Sequence, residues 1–390
     1  MNVRGPEGRS YVLSGLGRRA ETTYLPMFAT RDGLPAGDGL VAVVDADPER
    51  LKAVGDGWST PLDLYAAQDF DRMLTEARPD EVIIAGPDHT HVDQILAALG
   101  RDVSVFVEKP MVVSAADALR VLRGEQRSSG SVRVGHNLRY LNLARQIKEC
   151  LARGDIGTVR AARFDYHLKE GHGASYFRRW HRLRRLSGGL EVTKACHHLD
   201  LLNWWLDEPA LRVQAQSSRG FYTSAEPYSV PLDADIDDTV HALIQYAGGA
   251  LVSYTLTGCA PWEGFELAVH GDGGALRVSY CVAAPGTRTP PSFHRLTITS
   301  LHGAVRHVDV PRESGRHGGA DARMTAAAFG ASGAPGTHRC ATGRDGAAAV
   351  LLGEAITRSA RTGRSADVTL LPVLDGDARG KERSDDDIPV

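Results

Sequence analysis

The stretch "SYVLSGLGRRAETTYL", residues 10–25, decides the fold. It begins as a short apolar run and reaches Gly15 and Gly17, with Ala20 completing a G-x-G-x-x-G/A pattern. Glycines at such a turn allow a tight bend and let backbone amides approach a pyrophosphate, which then lies at a helix N-terminus. Glycine turns are common, so the segments around this one decide whether it indicates dinucleotide binding.

Further apolar runs follow through the first third of the chain. They are "LVAVVD" (40–45), "EVIIAG" (81–86) and "VSVFVE" (103–108), with helical patterns between the runs at 48–54, 69–77, 92–99 and 115–124. Continuous apolar strands that alternate with helices are typical of a doubly wound parallel sheet covered on both faces. Ligands of such sheets bind at the carboxyl ends of the strands. The sequence therefore predicts an α/β fold with an N-terminal Rossmann domain whose functional groups follow its strands.

The composition excludes several classes of protein. The chain has 390 residues, 42% hydrophobic and 24% charged, with a formal net charge of -3. This length favours two domains, and the charge argues against nucleic-acid binding, which needs a strongly basic face. No segment approaches the roughly 20 apolar residues that cross a bilayer, and the first ten residues lack the apolar core of a secretory signal. Five scattered cysteines without a CxxC pair favour reduced thiols, so we expect a cytoplasmic protein.

An acidic residue ends the second apolar run. Asp45 is expected to hydrogen-bond the adenine-ribose hydroxyls and to repel a 2′-phosphate, which favours NAD over NADP. It lies further from the glycines than the usual distance of about 20 residues, and the segment 30–39 accounts for the extra length. Arg18 and Arg19 keep NADP open as the less favoured cofactor, since a nearby arginine can meet a 2′-phosphate.

Two more strand ends carry candidate residues. Pro87 and His91 follow the run at 81–86, and we assign both to the cofactor cleft. His89 and His91 also suggest metal ligands, but no third ligand with suitable spacing is evident nearby, so we predict no metal site. The next run ends in Glu108-Lys109-Pro110, which places a lysine at the same edge of the sheet. Charges at a strand end are also typical of a solvated loop.

Taken together, six segments resemble the glucose–fructose oxidoreductase / inositol dehydrogenase (Gfo/Idh/MocA) family: "GLGRRA", "VVDADPERL", "VIIAGPDHTH", "VEKPMVVS", "VGHNLRYL" and "ACHHLDLLNWWL". The similarity runs from about residue 10 to about residue 370. The resemblance implies an NAD(P)-dependent oxidoreductase in which Lys109, beside Glu108 at the cofactor, touches both cofactor and substrate hydroxyl. It also implies that Asn137 lines the cofactor cleft and that Arg139 lines the substrate cleft.

The remainder of the chain predicts a second domain. Segments such as 158–168 and 238–247 alternate like strands, and several are joined by short glycine connections that suit antiparallel hairpins. We expect an α+β domain on a large, mostly antiparallel open sheet, and the resemblance implies the same. The predicted division is a Rossmann domain at 1–135, a substrate-binding and oligomerisation domain at 136–374, and a polar tail at 375–390.

The segment at 187–209, "SGGLEVTKACHHLDLLNWWLDEP", carries candidate catalytic residues. In the family an aspartate stands one helical turn before a histidine. Here His197 matches the histidine, but Thr193 occupies the place of the aspartate, and it can hydrogen-bond the histidine without holding a charge. Lys194 can instead approach the substrate and give a site with two ammonium groups. We assign His197 as general base because its ordinary pKa of about 6.5 suits proton removal near neutral pH; a helix histidine bound to a backbone carbonyl is the alternative. His198 is assigned to the pocket edge or to a structural role.

The segment at 166–189, "YHLKEGHGASYFRRWHRLRRLSGG", combines arginines with aromatic residues. Aromatic rings stack on sugar rings, and arginines bind carboxylates or phosphates bidentately. We predict a substrate-facing loop, with a solvated or subunit-contact loop as the alternative. Its proposed substrate-binding residues are His167, Arg178, Trp180 and His181, to which the segment at 316–323 can add polar groups.

These residues predict an NAD-dependent dehydrogenase acting on a secondary hydroxyl of a sugar, amino sugar (aminoglycosides included) or cyclitol, in a homodimer or homotetramer. Lys109, Lys194 and His197 are its proposed catalytic residues. Two other classes stay open. One is an NAD-dependent glycosidase that oxidises the 3-position transiently. The other is a non-catalytic dinucleotide-sensing regulator. In such a protein we would expect a disrupted lysine motif, whereas Glu108-Lys109-Pro110 is intact.

Overall fold

The computed structural model describes residues 8–31, 33–226, 228–282, 291–330 and 340–369. Within these residues the backbone forms two β-sheets, one of seven strands and one of nine. The predicted α/β class is confirmed, with a mostly parallel N-terminal sheet followed by a mostly antiparallel one.

The first part of the chain alternates strands and helices. Its strands are β1 Ser10–Ser14, β2 Gly39–Asp45, β3 Asp63–Ala66, β4 Glu81–Ile84, β5 Ser104–Val107 and β6 Val132–Val134, and its helices are α1 Leu25–Thr30, α2 Pro48–Gly57, α3 Phe70–Ala77, α4 His91–Leu99 and α5 Ala115–Gln126. The central strands β1 and β4 are buried along their whole length, as continuous apolar runs require. Helix α2 begins at Pro48 behind the Asp47 cap, and Ser114 caps α5 in the same way.

The spatial strand order of the first sheet explains where a ligand can bind. The order β3-β2-β1-β4-β5-β6 places β1 and β4 side by side at the centre. From β1 the chain crosses over towards β3 at one edge, and from β4 it crosses over in the opposite direction towards β6. The carboxyl ends of these two strands form the switch point at which doubly wound sheets bind ligands. The Gly15 turn follows β1, and the segment from Ala85 to His91 follows β4, so both meet at this point.

The second part of the chain starts with helix α6 and builds the larger sheet. Its elements are α6 Asn142–Ala152, β7 Val159–Lys169, α7 Glu170–Arg178, α8 Arg184–Ser187, α9 Leu190–Thr193, α10 Cys196–Leu206, β8 Ala210–Ser218, β9 Thr239–Tyr246, β10 Leu251–Ala260, β11 Gly264–Gly271, β12 Gly274–Cys281, β13 Phe293–Ser300, β14 Val305–Pro311, α11 Ala320–Phe329, β15 Ala341–Thr342, α12 Gly343–Thr362 and β16 Ala366–Asp367. The strand order is β14-β13-β12-β11-β7-β10-β9-β8-β16, antiparallel throughout except for β7 beside β10.

One face of the second sheet packs against helices, and the other is open. Strand β9 alternates buried and exposed residues, as expected for a sheet with one covered face. Helices α10 and α12 pack against each other, and α12 also packs along β8. The buried residues of this layer belong to an apolar core that continues beneath the glycine turn of the first sheet.

Three observations correct or limit the sequence-based organisation. The seventh strand of the first sheet is β15, so a piece of the predicted second domain pairs with β6 and lies outside the predicted 1–135 boundary. The predicted loop at 166–189 contains two helices, α7 and α8, with a short 3-10 turn between them. The predicted tail at 375–390 lies outside the described residues. Among the described helices, none combines the length and apolar character needed to traverse a bilayer.

Candidate active site

A cavity of about 340 Å³ opens at the carboxyl edge of the first sheet. Residues of both parts of the chain line it: Arg18, Arg19, Ala85, Gly86, Asp88, His91, Glu108, Lys109, Asn137, His172, Tyr176, Trp180, His181, Lys194, His197, Arg316 and His317. It therefore brings together most of the charged residues that the sequence placed at strand ends. Pro87 is exposed and does not line it.

The glycine turn has the shape that a dinucleotide requires. Gly15 adopts a φ of 89°, and an added Cβ would collide with the backbone of Gly86 on the neighbouring strand end. Gly17 has open space on the side where a Cβ would stand, so its backbone can be approached closely. Ala20 is fully buried, which lets the following helix pack directly on the sheet. These three positions fit a pyrophosphate.

Asp45 completes the dinucleotide groove. One carboxylate oxygen accepts a hydrogen bond of 2.5 Å from the backbone N–H of Leu16, and the other accepts one of 2.8 Å from Asp47. The carboxylate is thus fixed beside the glycine turn, where a ribose diol is recognised in Rossmann folds. Arg50 approaches the carboxylate only to 4.0 Å, so the close contacts of Asp45 are these two backbone N–H groups.

Arg19 connects the glycine turn to the rest of the site. Its guanidinium donates to Glu108 at 2.5 Å and to Asp321, at the start of α11, at 2.7 Å. Asp321 also accepts from Asn137 at 2.7 Å and from His317 at 2.9 Å. Burial opposes the charge of Asp321, but the hydrogen bonds from His317 and Arg19 lower its pKa. We call Arg19, Asp321, Asn137 and His317 the interdomain clamp.

Two buried polar atoms of the clamp have no hydrogen-bond partner within the part of the chain that the structure describes. They are Nη2 of Arg19 and Oδ1 of Asn137, both on residues that line the cavity. Buried polar groups normally have hydrogen-bond partners. A guanidinium donor and an amide acceptor that face a cleft beside a glycine turn fit a polar ligand such as a dinucleotide.

Lys109 carries a partly buried ammonium group at the end of β5. Its Nζ donates to the backbone oxygen of Thr193 at 3.2 Å, which anchors it and leaves further N–H groups for the cavity. Burial alone would lower the pKa of Lys109. The acidic groups around it, Tyr176 first and then Cys196, Asp88 and Glu108, raise its pKa above the ordinary value. The side chain is therefore a fixed positive charge near neutral pH.

His197 lies on the same cavity in helix α10. Its Nδ1 is buried and has no hydrogen-bond partner among the described residues, so the alternative of a backbone-bound helix histidine is not supported at this nitrogen. Burial, and then the charges of Lys109 and Lys194, lower the pKa of His197 well below its usual value. The imidazole is neutral near pH 7 and can accept a proton. His136, whose ring centroid is 6.3 Å away, is also buried; its ring nitrogens have no hydrogen bond among the described residues, although Nε2 lies 3.8 Å from Asp200.

Thr193 has a different partner from the one expected. Its hydroxyl donates to Asp88 at 2.7 Å rather than to His197. Burial raises the pKa of Asp88. A carboxyl group therefore lies beside Thr193 after all, but it comes from the segment after β4 and not from the helix.

Lys194 places a second ammonium group in the cavity. Its Nζ lies 4.8 Å from the centre of the Tyr166 ring and 3.7 Å from a carboxylate oxygen of Glu263. Burial and the nearby charge of Lys109 lower the pKa of Lys194 to about 8, although Glu263 opposes this shift. Glu263 also accepts hydrogen bonds from Tyr166 at 3.1 Å and from His172 at 3.0 Å.

Aromatic residues of the helical segment form one wall of the cavity. Trp180 and His181 stack on each other with ring centroids 3.7 Å apart, and Tyr176 contacts His181 edge to face. All three line the cavity. Arg178 is exposed and does not line it, which corrects its assignment to the substrate. Arg182 likewise turns away and pairs with Asp233.

Arg139 does not reach the cavity. Its guanidinium binds Asp200 through two hydrogen bonds of 2.7 and 2.6 Å, and the pair is almost completely buried. It also lies 3.3 Å from Asp345 at the start of α12. These contacts correct the expectation that Arg139 lines the substrate cleft, and they give it a structural role between helices.

Three histidines of the sequence-based assignment are engaged elsewhere. His167 packs on Trp262 with ring centroids 4.6 Å apart and does not line the cavity. His198 is fully buried, pairs with the Tyr254 hydroxyl at 2.9 Å and stacks on Tyr166. His91 lines the cavity, but its two ring nitrogens contact the backbone oxygens of Pro110 and Gly86, so it ties two strand ends together. These contacts correct the substrate assignment of His167, agree with the structural alternative for His198, and leave His91 at the cavity to which it was assigned.

Several residues of the site were not assigned from the sequence. They are Asp88, His136, His172, Tyr176, Glu263 and Asp321. Asp88 directly follows Pro87, and His136 directly precedes Asn137, both of which were assigned. Their position after a strand end was therefore the available signal. Asp321 lies within the segment 316–323, and His172 and Tyr176 within the segment 166–189, both of which the sequence assigned to the pocket without naming these residues. Glu263 lies far along the chain, and no local pattern marks it.

Comparison with known proteins identifies both parts of the chain. Residues 9–136 match the Gfo/Idh/MocA model described as oxidoreductase family, NAD-binding Rossmann fold. Residues 148–370 match the model described as oxidoreductase family, C-terminal alpha/beta domain. The oxidoreductase resemblance inferred from the six segments is thereby confirmed, as is NAD as the cofactor of the first domain.

Individual proteins share both sequence and fold with the chain. A putative oxidoreductase of Bacillus subtilis, YteT, is 31% identical over 374 residues, covering 80% of this chain and 86% of the relative. Inositol 2-dehydrogenase of Rubrobacter xylanophilus is 28% identical over 252 residues, covering 62% of this chain and 64% of the relative. A levoglucosan dehydrogenase in complex with NADH superposes with a TM-score of 0.74 at 19% identity, covering 94% of this chain and 100% of that one.

Proposed function

The chain belongs to the Gfo/Idh/MocA family of NAD-binding oxidoreductases, and from this premise we propose that it oxidises a secondary hydroxyl of a sugar, amino sugar or cyclitol. The inositol dehydrogenases and the levoglucosan dehydrogenase among its relatives and neighbours support a polyhydroxylated substrate. One observation carries the proposal: a fixed ammonium, Lys109, and a neutral imidazole, His197, line the same cavity at the carboxyl edge of the Rossmann sheet.

The proposed roles follow from the charge state of each group. Lys109 orients the hydroxyl and stabilises negative charge on its oxygen as the proton leaves. The His197 imidazole takes that proton; no hydrogen bond to its ring is described. Trp180 and His181 form an apolar wall against which a sugar ring can stack. NAD, when bound, supplies the hydride acceptor. Arg19, Asp45 and Asn137 are the residues proposed to hold it.

The low pKa of His197 predicts the pH dependence of turnover. The imidazole is an active base only while neutral, and its pKa lies well below 6.5 because burial and two lysines disfavour the cation. Activity is therefore expected to persist as the pH falls to 6.5 and to decline only at lower pH. The measurement is kcat/KM against pH, with the stable pH range fixed beforehand by melting curves.

Substitution tests the same assignment. His197→Gln is expected to lower kcat by about 10²–10⁴-fold, the usual contribution of a general base. It is also expected to remove the acid limb of the pH profile, that is, the decline of kcat/KM at low pH. The matched control is His302→Gln, at an exposed turn. An acid limb at or above pH 6.5, or an unchanged limb in His197→Gln, contradicts this role.

The overall proposal is tested by offering NAD and NADP with a panel of sugars, amino sugars and cyclitols and following reduced nicotinamide. We expect reduction of NAD with at least one polyol and a clear preference over NADP, since the charge of Asp45 opposes a 2′-phosphate. Absence of reduction across the panel, by protein that binds NAD, rejects the dehydrogenase proposal.

The interdomain clamp favours a second candidate, a redox-neutral enzyme such as a glycosidase that oxidises its substrate transiently. Arg19 and Asp321 join the glycine turn to α11. The clamp can therefore keep the cofactor bound from one catalytic cycle to the next. Such an enzyme retains NAD through purification and releases no free NADH while converting substrate. Product analysis by chromatography alongside NADH absorbance separates the two.

The open face of the larger sheet is proposed as the contact of a homodimer or homotetramer. Leu243 and Leu251, on neighbouring strands, are 63% and 60% exposed on this face. Light scattering measures the mass, and Leu243→Lys is expected to shift it towards the monomer.

A further inference from the structure

The cavity carries more positive than negative charge. Among the residues that the structure describes, five cationic side chains line it (Arg18, Arg19, Lys109, Lys194 and Arg316), against two acidic ones (Asp88 and Glu108). Both acids are already engaged within the protein. Glu108 accepts from Arg19 and Tyr24, and Asp88 accepts from Thr193 and has its pKa raised by burial. The cavity is therefore poor in free anionic groups.

The cations fall into two groups with different surroundings. The arginines lie at the glycine-turn side, where Arg19 and Arg316 approach Asp321. The two lysines lie together at the other side, because Lys109 is bound to the backbone oxygen of the residue that precedes Lys194. The arginines suit the phosphates of a dinucleotide, which leaves both lysines facing the end that takes substrate.

The carboxylate that pairs with Lys194 is shared. Glu263 does not line the cavity, and it serves Tyr166 and His172 through hydrogen bonds while lying 3.7 Å from Lys194. That distance is an ion pair but longer than a good hydrogen bond. Of the other two carboxyl groups near Lys109, Glu108 is bound by Arg19 and Tyr24, and burial raises the pKa of Asp88, which disfavours its charge. The two ammonium groups are therefore incompletely neutralised at this end, and one monoanionic group would complete the balance.

From this arrangement we propose that the substrate is a sugar acid, a uronate or related aldose-derived carboxylate, whose carboxylate binds Lys194 while its reacting hydroxyl binds Lys109. The inference rests on the proposed dehydrogenase function and adds its substrate class. A neutral sugar would leave Lys194 buried beside a like charge. A single carboxylate matches the net charge better than a phosphate dianion does, and the stacked Trp180 and His181 suit the ring that carries it.

The test compares each uronate with its uncharged isostere. Calorimetry measures binding of D-glucuronate and D-galacturonate, of their uronamides, of the parent aldoses and of glucose 6-phosphate, to the protein with and without NAD. Each uronate is expected to bind about ten- to a hundredfold more tightly than its amide, the range that a hydrogen bond between charged partners adds. Steady-state NADH formation is expected to give the same ratio in kcat/KM.

Variants assign the preference to one residue. Lys194→Met is expected to reduce the uronate-to-amide ratio to within about threefold, and Lys194→Arg to retain most of it. Lys52→Met, at an exposed position of α2, is expected to keep the full ratio. Equal or tighter binding of the amide, the aldose or the sugar phosphate overturns the proposal, as does a ratio that survives in Lys194→Met.

The pH dependence of binding gives an independent result. The groups around Lys194 are Glu263, Tyr166, Lys109, Cys196, His197 and His198. Their pKa values are shifted away from 8: about 2 for Glu263, about 12 for Cys196, well below 6.5 for the two histidines, and upward for Tyr166 and Lys109. Uronate affinity is expected to fall as the pH rises through about 8, the pKa of Lys194. Amide affinity is expected to stay constant.

The outcomes separate this inference from the proposed function. Oxidation of neutral sugars or cyclitols without a uronate preference rejects the substrate class and leaves the dehydrogenase in place. A uronate preference in binding without NADH formation supports the lysine site and rejects the dehydrogenase.

Discussion

Lys109→Met is expected to lower turnover by at least about 10²–10³-fold while NAD binding stays measurable. The loss corresponds to removal of one preorganised electrostatic contact to the reacting oxygen. NAD binding persists because the glycine turn and Asp45 do not depend on Lys109. Steady-state kinetics give the first quantity, and fluorescence or calorimetric titration with NAD gives the second.

The fold is expected to survive this substitution. The only protein hydrogen bond described for the Lys109 ammonium is the one to the backbone of Thr193, and methionine has a similar length. A melting curve checks this, and Lys52→Met on the exposed side of α2 is the matched control. Normal turnover in Lys109→Met rejects the role of this ammonium in the reaction.

Arg139→Met is expected to destabilise the protein by about 3–5 kcal/mol, the usual result of removing one partner of a buried ion pair. Asp200 would keep its charge or take up a proton in an environment that is 1% exposed. The measurement is the denaturant midpoint of unfolding. The double change Arg139→Met with Asp200→Leu is expected to recover part of the loss, because no unpaired charge stays buried.

An exposed pair provides the control for this prediction. Arg212 binds Asp367 at 2.8 Å with both side chains more than half exposed. Arg212→Met is therefore expected to cost no more than about 1 kcal/mol. Equal losses in Arg139→Met and Arg212→Met would show that the buried pair has no special structural role, and would reopen Arg139 as a ligand-binding residue.

Four strands of the first sheet, β1, β2, β4 and β5, were predictable because their signals are local, whereas β3 and β6 were not predicted. An apolar run followed by a glycine turn or a charged residue identifies a covered parallel strand and its carboxyl end, as at Gly15 and Lys109. Strand β15 was missed because it is two residues long and pairs across more than 200 positions, Ala341 with Val134. Nothing local distinguishes such a segment from a turn.

The residues of the site likewise fall into those with a local sequence signal and those whose contacts depend on distant parts of the chain. Lys109, Asp45 and His197 follow from motif positions, and each lies where a strand or helix must place it. Arg139 was misassigned because its partner Asp200 stands 61 residues away, and only the tertiary structure shows that the charge is neutralised. The Thr193 hydroxyl was expected at the histidine on its own helix, but a carboxyl 105 residues earlier, Asp88, is closer.

The pairing of β15 with β6 also has a consequence for biosynthesis. Helix α12, which follows β15 directly, packs against both β6 and α5. A nascent chain therefore cannot finish its nucleotide-binding half until more than 340 residues have left the ribosome. Until then the edge of that half-built sheet stays open to association with other strands. This protein should consequently depend on chaperones during synthesis more than a relative whose first sheet closes by itself.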